Sequence, residues 1–374
     1  MGFETSLLPL FPWDTLAPFK REAAAHPDGL LDFSVGTPVD PTPELVREAL
    51  ANAANSPGYP PTIGTPELRR SIVRYYQRHR GVPDLPETGV LPTVGSKEMV
   101  AVLPALLGVQ PGEAVVHPPV AYPTYDVGAR LTGATPVPAA SPAAVPEETA
   151  ERVRLVWLNS PGNPTGAVLS VEQLRQWVEW ARYHGAVVAA DECYAALAWD
   201  EPWASQGVPS ILDPRVRGES WDGLLALHSL SKESNVAGYR AAFLAGDPEL
   251  VGTLSQVRKH MGMMLPAPVQ AAMVAALADD AHVAAQREVY RRRREVLATA
   301  ITRAGYQIEG SGAGLYLWFT NPNGQNCWNT VAELSARGIL VAPGEFYGPA
   351  GQRFVRLALT ATDAACAEAA KRLL

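Results

Sequence analysis

The sequence predicts an α/β protein: a large unit with a mostly parallel central sheet covered by helices, and a smaller α+β unit. Three observations carry this. Through the middle of the chain, short apolar runs alternate with segments of helical periodicity, the pattern of βαβ units. At 374 residues the expectation is two domains, or one large α/β domain with a smaller one appended. Apolar residues at 47% are ample for a sizeable core.

The elements follow in order. Val90 to Val94 is an apolar run that stops at Gly95, and a helical pattern starts at once. Pro104 inside that helix implies a kink or an early end, because proline lacks the amide the helix needs. Ser141 to Glu147, rich in Pro and Ala, reads as a surface loop, and Val153 to Leu158 as a strand. Ser170-Val-Glu-Gln173 offers a capping box, in which serine and glutamine satisfy the first free amides reciprocally. Leu174, Trp177, Val178 and Ala181 then recur at helical spacing, and Gly185 fits the stop. Ala186 to Ala190 is the next buried strand, with Asp191 at its end, and Leu224 to His228 is another, with Ser229 after it. Groups at the carboxyl ends of parallel strands sit where open α/β sheets bind ligands.

After about residue 267 a helix leads into the smaller unit. There Gly310-Ser-Gly312-Ala-Gly314 enters a strand at Leu315 to Phe319, and Arg353-Phe-Val-Arg356-Leu-Ala-Leu closes the pattern. The glycine cluster lacks the full dinucleotide fingerprint and leads into a strand instead of a helix.

Composition removes several classes of function. A net charge of −7 leaves no basic footprint for nucleic acid or an anionic membrane. The only basic run, Arg291 to Arg294, lies between Glu288 and Glu295 in a helical segment and reads as a solvated or ion-paired face. Cys193, Cys327 and Cys366 are scattered, which gives neither a disulfide framework nor metal spacing and points to a reducing cytoplasm. No basic segment precedes an apolar core at the start, so no signal peptide is expected. The uncharged run His260 to Ala278 is broken by Pro266, Pro268 and Gln270 and is a poor membrane span. Met1-Gly2…Ser6 formally fits an acylation pattern, but nothing else points to a membrane. The seven histidines are dispersed and no Gly-x-Ser-x-Gly occurs, so no metal or acyl-transfer constellation competes.

The chemistry concentrates at Ser229-Leu-Ser231-Lys232-Glu-Ser-Asn-Val-Ala-Gly238-Tyr-Arg240. A lysine that holds an aldehyde cofactor needs that cofactor anchored nearby. Two hydroxyls and a guanidinium make a sensible cup for a phosphate dianion. Gly95, Ser96 and Lys97 add a helix start, whose free amides and dipole favour the same anion. Upstream lie Asn163-Pro164-Thr165-Gly166 and Asp191-Glu192-Cys193-Tyr194. In this order and spacing, the three motifs resemble the fold-type I aminotransferases that use pyridoxal phosphate (PLP).

The resemblance covers nearly the whole chain, from about Leu31 to the end, and implies roles residue by residue. Lys232 is the lysine that carries the cofactor and later moves a proton. Asp191 matches the aspartate that keeps the ring nitrogen protonated, an opposite-charge effect. Asn163 and Tyr194 match the donors to the phenolic oxygen, and Asn163 also borders the substrate. Tyr122 falls where the family packs an aromatic ring on the pyridine, with Tyr125 as the competing candidate. Gly95, Ser96 and Lys97, chiefly through backbone atoms, join Ser229, Ser231 and Arg240 at the phosphate. Tyr59 matches a tyrosine that reaches the phosphate of a neighbouring subunit, which implies a homodimer with shared sites. Arg356 matches the arginine that binds the substrate α-carboxylate, and Gly36 a glycine whose backbone approaches the same group. Strand alternation places Arg353 and Arg356 on opposite faces, so only one can face the pocket.

The family builds its small domain from both termini, so the expected division is 47–266 for the large PLP-binding domain and 1–46 with 267–374 for the small one. The openings around Phe11-Pro12-Trp13, Phe33 to Pro43 and Ser56 to Thr65 are most similar to actinobacterial N-succinyldiaminopimelate aminotransferases. That resemblance implies glutamate as donor, 2-oxoglutarate as its product and N-succinyl-2-amino-6-oxopimelate as acceptor. Aspartate, aromatic and other amino acids are the alternatives, and C–S lyases share the scaffold. A group to meet the distal succinyl carboxylate is not identifiable from sequence. Phe11, Trp13 and Phe19 either line the pocket mouth or fill the small core.

Overall fold

The computed structural model describes residues 8, 9 and 11–374. The Met1-Gly2…Ser6 pattern lies outside them. A short strand, β1 (Leu31–Asp32), precedes helix Glu44–Asn52 and helix Pro66–His79. The strands of the large sheet follow: β2 (Val90–Val94), β3 (Ala114–His117), β4 (Thr135–Pro138), β5 (Val153–Asn159), β6 (Val187–Asp191), β7 (Leu224–Ser229) and β8 (Ala241–Gly246). Their spatial order is β2-β8-β7-β6-β5-β3-β4. Pairings are parallel from β4 through β7, while β8 runs antiparallel to both β7 and β2. Strands β7 and β8 are buried along their whole length, as expected of runs covered by helices on both faces.

This topology gathers the motifs at one edge. Strands β5, β6 and β7 end there at Asn159, Asp191 and Ser229. Because β8 is antiparallel, it starts at that edge, just after Arg240. The same reversal makes β2 end there, delivering Gly95 and Ser96.

Local signals act as expected in helix Val171–His184. Ser170 and Gln173 bond each other's backbone amides, and Gly185 closes the helix at φ +67°. Loss of such a cap costs about 1 kcal/mol. Pro104 sits buried inside helix Ser96–Leu106, which ends two residues later. The Ser141 to Glu147 segment forms a short 3-10 turn at Pro142–Ala144 and then a helical turn at Glu147–Ala150.

The smaller sheet comprises β9 (Gln307–Ile308), β10 (Tyr316–Thr320), β12 (Ala342–Pro343) and β13 (Phe354–Ala358), in the order β12-β13-β10-β9. Strand β11 (Ile339–Leu340) pairs in parallel with β1. Packing runs across both expected domain boundaries. Helix Glu44–Asn52 spans the 46/47 position, and helix Ala267–Ala278 puts Ala272, Met273, Ala276 and Leu277 into the large unit's core.

The arginine run is ion-paired more than solvated. Arg291 meets Glu288 and Glu295, but Arg293 is buried and forks onto Asp40, at 2.6 and 2.8 Å, and onto Asp363. Burial pushes the Asp40 carboxyl up, and the donors from Arg293 and Gln286 outweigh it, leaving its pKa lowered.

Candidate active site

A pocket of about 480 Å³ opens at the gathered strand ends. Lys232 lies in the loop between β7 and β8 and donates through Nζ to the Gly36 carbonyl at 2.5 Å. Burial lowers its pKa to about 8, and the positive charges of Arg356 and Arg240 push the same way. A lysine tuned in this way is neutral often enough to act as nucleophile and proton carrier.

Asp191 ends β6. Its oxygens accept from the Tyr125 hydroxyl at 2.8 Å and from the Cys193 amide at 3.1 Å. Burial raises its pKa, and those donors offset only part of the rise. A buried carboxylate with no arginine or lysine partner among the described residues calls for a cationic neighbour. A protonated pyridine nitrogen meets that need.

Asn163 is held by Asn159, whose side-chain oxygen accepts from the Asn163 amide at 2.7 Å. Asn159 itself donates to the carbonyls of Pro161 and Asp191, so one asparagine at the end of β5 braces two predicted site segments. The Tyr194 hydroxyl lies 3.1 Å from that of Tyr316.

At the other end, the Ser229 hydroxyl donates to Ser231 Oγ at 2.8 Å. Gly95 adopts φ +81°, and a Cβ there would run into the Arg240 guanidinium. The glycine thus lets the arginine cross the start of helix Ser96–Leu106. Two hydroxyls, a guanidinium and a helix N-terminus fit a phosphate.

Arg356 lies mid-strand in β13, opposite Trp318 of β10 and Ala342 of β12, and is 2% exposed. It donates to Asn163 Oδ1 at 3.1 Å and to the Ser34 carbonyl at 2.6 Å. Its guanidinium carbon sits 4.1 Å from the Tyr316 ring centroid. Arg353 is exposed and falls just before the strand.

The pocket brings together Gly36, Ser96, Lys97, Tyr122, Asn163, Asp191, Tyr194, Ser229, Ser231, Lys232, Arg240 and Arg356, and Gly95 stands behind Arg240. Tyr59 departs from this set: it is 94% exposed and does not line the pocket of its own chain. Tyr122 and Tyr125 both line the pocket, but Tyr125 is buried against Trp157 and its hydroxyl is committed to Asp191. Phe11 and Trp13 also line it, while Phe19 stacks on Trp328 in the small core.

Sequence reasoning missed three features. Tyr316, on β10, touches Tyr194 and Arg356, and a Cβ at Gly36 would lie 2.5 Å from its hydroxyl. Asn159 carried a signal that went unused, an amide side chain closing a buried strand. Lys97 was expected to act through its backbone, yet its ammonium stands 5.6 Å from the Phe11 ring centroid and 5.7 Å from that of Tyr122. Phe11 is 54% exposed, so this cation marks the solvent side of the pocket.

Among the described residues there is no cluster of metal-ligating side chains, and no helix is long and apolar enough to cross a membrane.

Comparison with known proteins bears on the same residues. The family model "Aminotransferase class I and II" matches residues 28–373. The chain is 56% identical to 4-dedimethylamino-4-oxo-anhydrotetracycline transaminase OxyQ of Streptomyces rimosus, covering 98% of this chain and 99% of that one. It is 54% identical to a probable aminotransferase of Mycobacterium tuberculosis, over 100% of this chain and 87% of the relative. A solved structure of a probable N-succinyldiaminopimelate aminotransferase from Thermus thermophilus is similar at 31% identity and a TM-score of 0.86, covering 96% of this chain and 98% of that one.

Proposed function

Because the chain belongs to the class I and II aminotransferases, which depend on pyridoxal phosphate, we propose that it moves an amino group between glutamate and N-succinyl-2-amino-6-oxopimelate. The observation that carries this is a pair of cations in one pocket: Arg356 among buried tyrosines and Lys97 at the solvent side. A substrate with an α-carboxylate and a second, distal carboxylate matches both, and glutamate and the succinylated keto acid each have that form. The similar Thermus structure carries a name of the same substrate class.

In this reading Arg356 binds the α-carboxylate, with the Gly36 backbone alongside. Its planar fork is kept in place by Asn163, Ser34 and the Tyr316 ring. When bound, pyridoxal phosphate supplies an electron sink for charge developing at the substrate α-carbon. Lys232 Nζ, neutral above about pH 8, is placed to take the substrate's α-proton and would return it across the transferred nitrogen, to the cofactor's aldehyde carbon. Asp191 would keep the ring nitrogen protonated, Tyr122 would pack on the ring, and Asn163 and Tyr194 would donate to its phenolic oxygen. Ser229, Ser231, Arg240 and the start of helix Ser96–Leu106 would hold the phosphate. Tyr59, too exposed to serve its own pocket, reaches the phosphate of a second copy in a homodimer. The setting is cytoplasmic.

A second reading has support of its own. The 56% identical relative is named for a polycyclic ketone, and Phe11, Trp13 and Tyr122 line the pocket. Flat aromatic walls favour a flat acceptor.

The test is to titrate L-glutamate into the holoprotein without a keto acid and follow the yellow absorbance of lysine-bound cofactor. Loss of the band, restored by 2-oxoglutarate, establishes glutamate as donor. An acceptor panel of the succinylated keto-pimelate, oxaloacetate, aromatic keto acids and an anhydrotetracycline ketone then separates the readings. A band that glutamate leaves unchanged overturns the proposal.

A further inference from the structure

A second cavity, of about 300 Å³, shares no lining residue with the first. Glu233, the residue after Lys232, contributes to its wall, together with Tyr75, Trp203, Leu277 and Arg287. Two charges in that wall lack a firm counter-ion. The Glu233 side chain is 3% exposed; one oxygen meets His228 Nε2 at 3.1 Å, and the other accepts no hydrogen bond among the described residues. Arg287 donates to the Ala198 carbonyl at 2.7 Å and forms no ion pair among the described residues. The other charges are matched: Arg80 with Glu192 at 2.7 Å, Asp280 with His79 at 2.8 Å, and Asp279 with His282 at 2.8 Å.

A buried carboxylate with a spare oxygen is costly unless something donates to it. What the cavity leaves open is therefore one anionic acceptor and one cationic donor, set in a wall whose other charges are paired and whose remaining residues are mainly apolar and aromatic. We propose that this cavity binds a free amino acid as an effector, its ammonium group on Glu233 and its carboxylate on Arg287. The side chain lies against Trp203 and Leu277, and the volume suits a molecule of that size.

The path to the reaction is short. Helix Ala281–Arg303, which carries Arg287, already grips the lysine loop. His282 Nε2 meets Ser234 Oγ at 2.8 Å, Gln286 Oε1 accepts from Asn235 at 2.8 Å, and the Tyr290 hydroxyl donates to the Lys232 carbonyl at 3.3 Å. An amino acid bridging Glu233 and Arg287 adds a tie between the same two elements, so its occupancy is felt at Lys232.

Binding at this cavity is separate from transamination and is tested without turnover. Holoenzyme whose active site has been closed with aminooxyacetate is mixed with the proteinogenic L-amino acids one at a time, and the unfolding midpoint is read. At least one raises it by a few degrees, and Glu233→Gln and Arg287→Met each abolish the shift. Glutamine keeps the volume and the bond to His228, and methionine keeps the apolar stem, so both variants retain the parent's unliganded midpoint. If Glu233→Gln does not fold, Arg287→Met decides alone. In open enzyme the same amino acid changes the KM for the amino donor at least threefold in the parent and not in Arg287→Met. The proposal is overturned if no amino acid shifts the closed enzyme, if the shift survives in Arg287→Met, or if binding leaves the donor KM unchanged.

Discussion

Lys232 and Gly36, 196 residues apart, are joined by a 2.5 Å hydrogen bond from the lysine ammonium to the glycine carbonyl. Two residues before Gly36, the Ser34 carbonyl accepts from Arg356 at 2.6 Å. One stretch of main chain therefore braces the lysine of the large unit and the arginine of the small sheet. Among the described residues Lys232 and Lys97 are the lysines that line this pocket, and Lys232→Ala removes the deeper one. The expected outcome is a protein that folds but shows no yellow band with added cofactor and no half-reaction with glutamate. A retained yellow band would place the attachment elsewhere.

The lowered pKa of Lys232 sets a pH dependence whose sign is definite. Burial, then Arg356 and Arg240, bring it to about 8 from 10.5. Below about 8 the folded protein holds a charged, unreactive amine; above it the amine is neutral. Attachment of pyridoxal phosphate to cofactor-free protein should speed up as pH rises through about 8 and then level off. Between about 8 and 10.5 the unfolded chain binds more protons than the folded one, so this group's contribution to stability rises with pH across that window. Arg240→Gln removes one positive neighbour and moves the midpoint upward. Stopped-flow absorbance reads the rate, and a flat profile from pH 6.5 to 9 contradicts the assignment.

Gly36→Ala tests the close approach to Tyr316. The new Cβ would lie 2.5 Å from the Tyr316 hydroxyl, so the ring must move, and Arg356 rests on that ring. The expected result is a rise in KM of about tenfold for every amino-acid substrate, equivalent to about 1.4 kcal/mol of binding. In the Tyr316→Leu background the added methyl should matter less. Equal effects in both backgrounds would mean the glycine acts through its own backbone alone.

Features coded locally were the legible ones. The Ser170 and Gln173 cap and Gly185 stop form within one helix, and each apolar run became a strand within about a residue of its expected ends. The large, mostly parallel sheet follows from that alternation. What was hidden depends on segments far apart in sequence. Tyr316 meets Tyr194, Gly36 and Arg356 only because β10 pairs with β13 and both face the large unit's edge. Lys97 finds its aromatic neighbours on two other segments, at Phe11 and Tyr122. Tyr125 serves Asp191, 66 residues away, a contact that no helical periodicity announces. Nor could periodicity show that Arg293, within a run of four arginines, would be buried on Asp40.

Asp191→Asn tests the carboxylate proposed for the ring nitrogen. Asparagine nearly matches the carboxylate in shape and its one oxygen can still accept from one of the two donors, Tyr125 or Cys193, but it carries no charge to hold a pyridinium. The cofactor should stay bound, because the phosphate cup is untouched. The half-reaction with glutamate should slow on the order of a hundredfold or more, the scale for losing one preorganised electrostatic group. Tyr125→Phe should act in the same sense but more mildly, because the carboxyl's pKa rises when a donor is lost, and should move the acid-side fall in activity to higher pH. Full activity in Asp191→Asn would assign ring protonation to another group.

Lys97→Met separates a role in phosphate binding from one in substrate recognition. Methionine keeps the apolar stem and the backbone of the helix start, so a backbone contact to phosphate survives and cofactor affinity is unchanged. The charge is lost, and with it a hydrogen bond to a distal carboxylate, worth about 1.5–3 kcal/mol when one partner is ionised. KM for glutamate and for the succinylated keto acid should therefore rise about tenfold or more. KM for alanine, which has no second carboxylate, should stay within about twofold. If both substrate classes weaken equally, Lys97 holds the pocket's shape through Phe11 and Tyr122 and does not read the substrate. If cofactor binding alone weakens, the ammonium belongs to the phosphate, and the distal carboxylate must be met by another group.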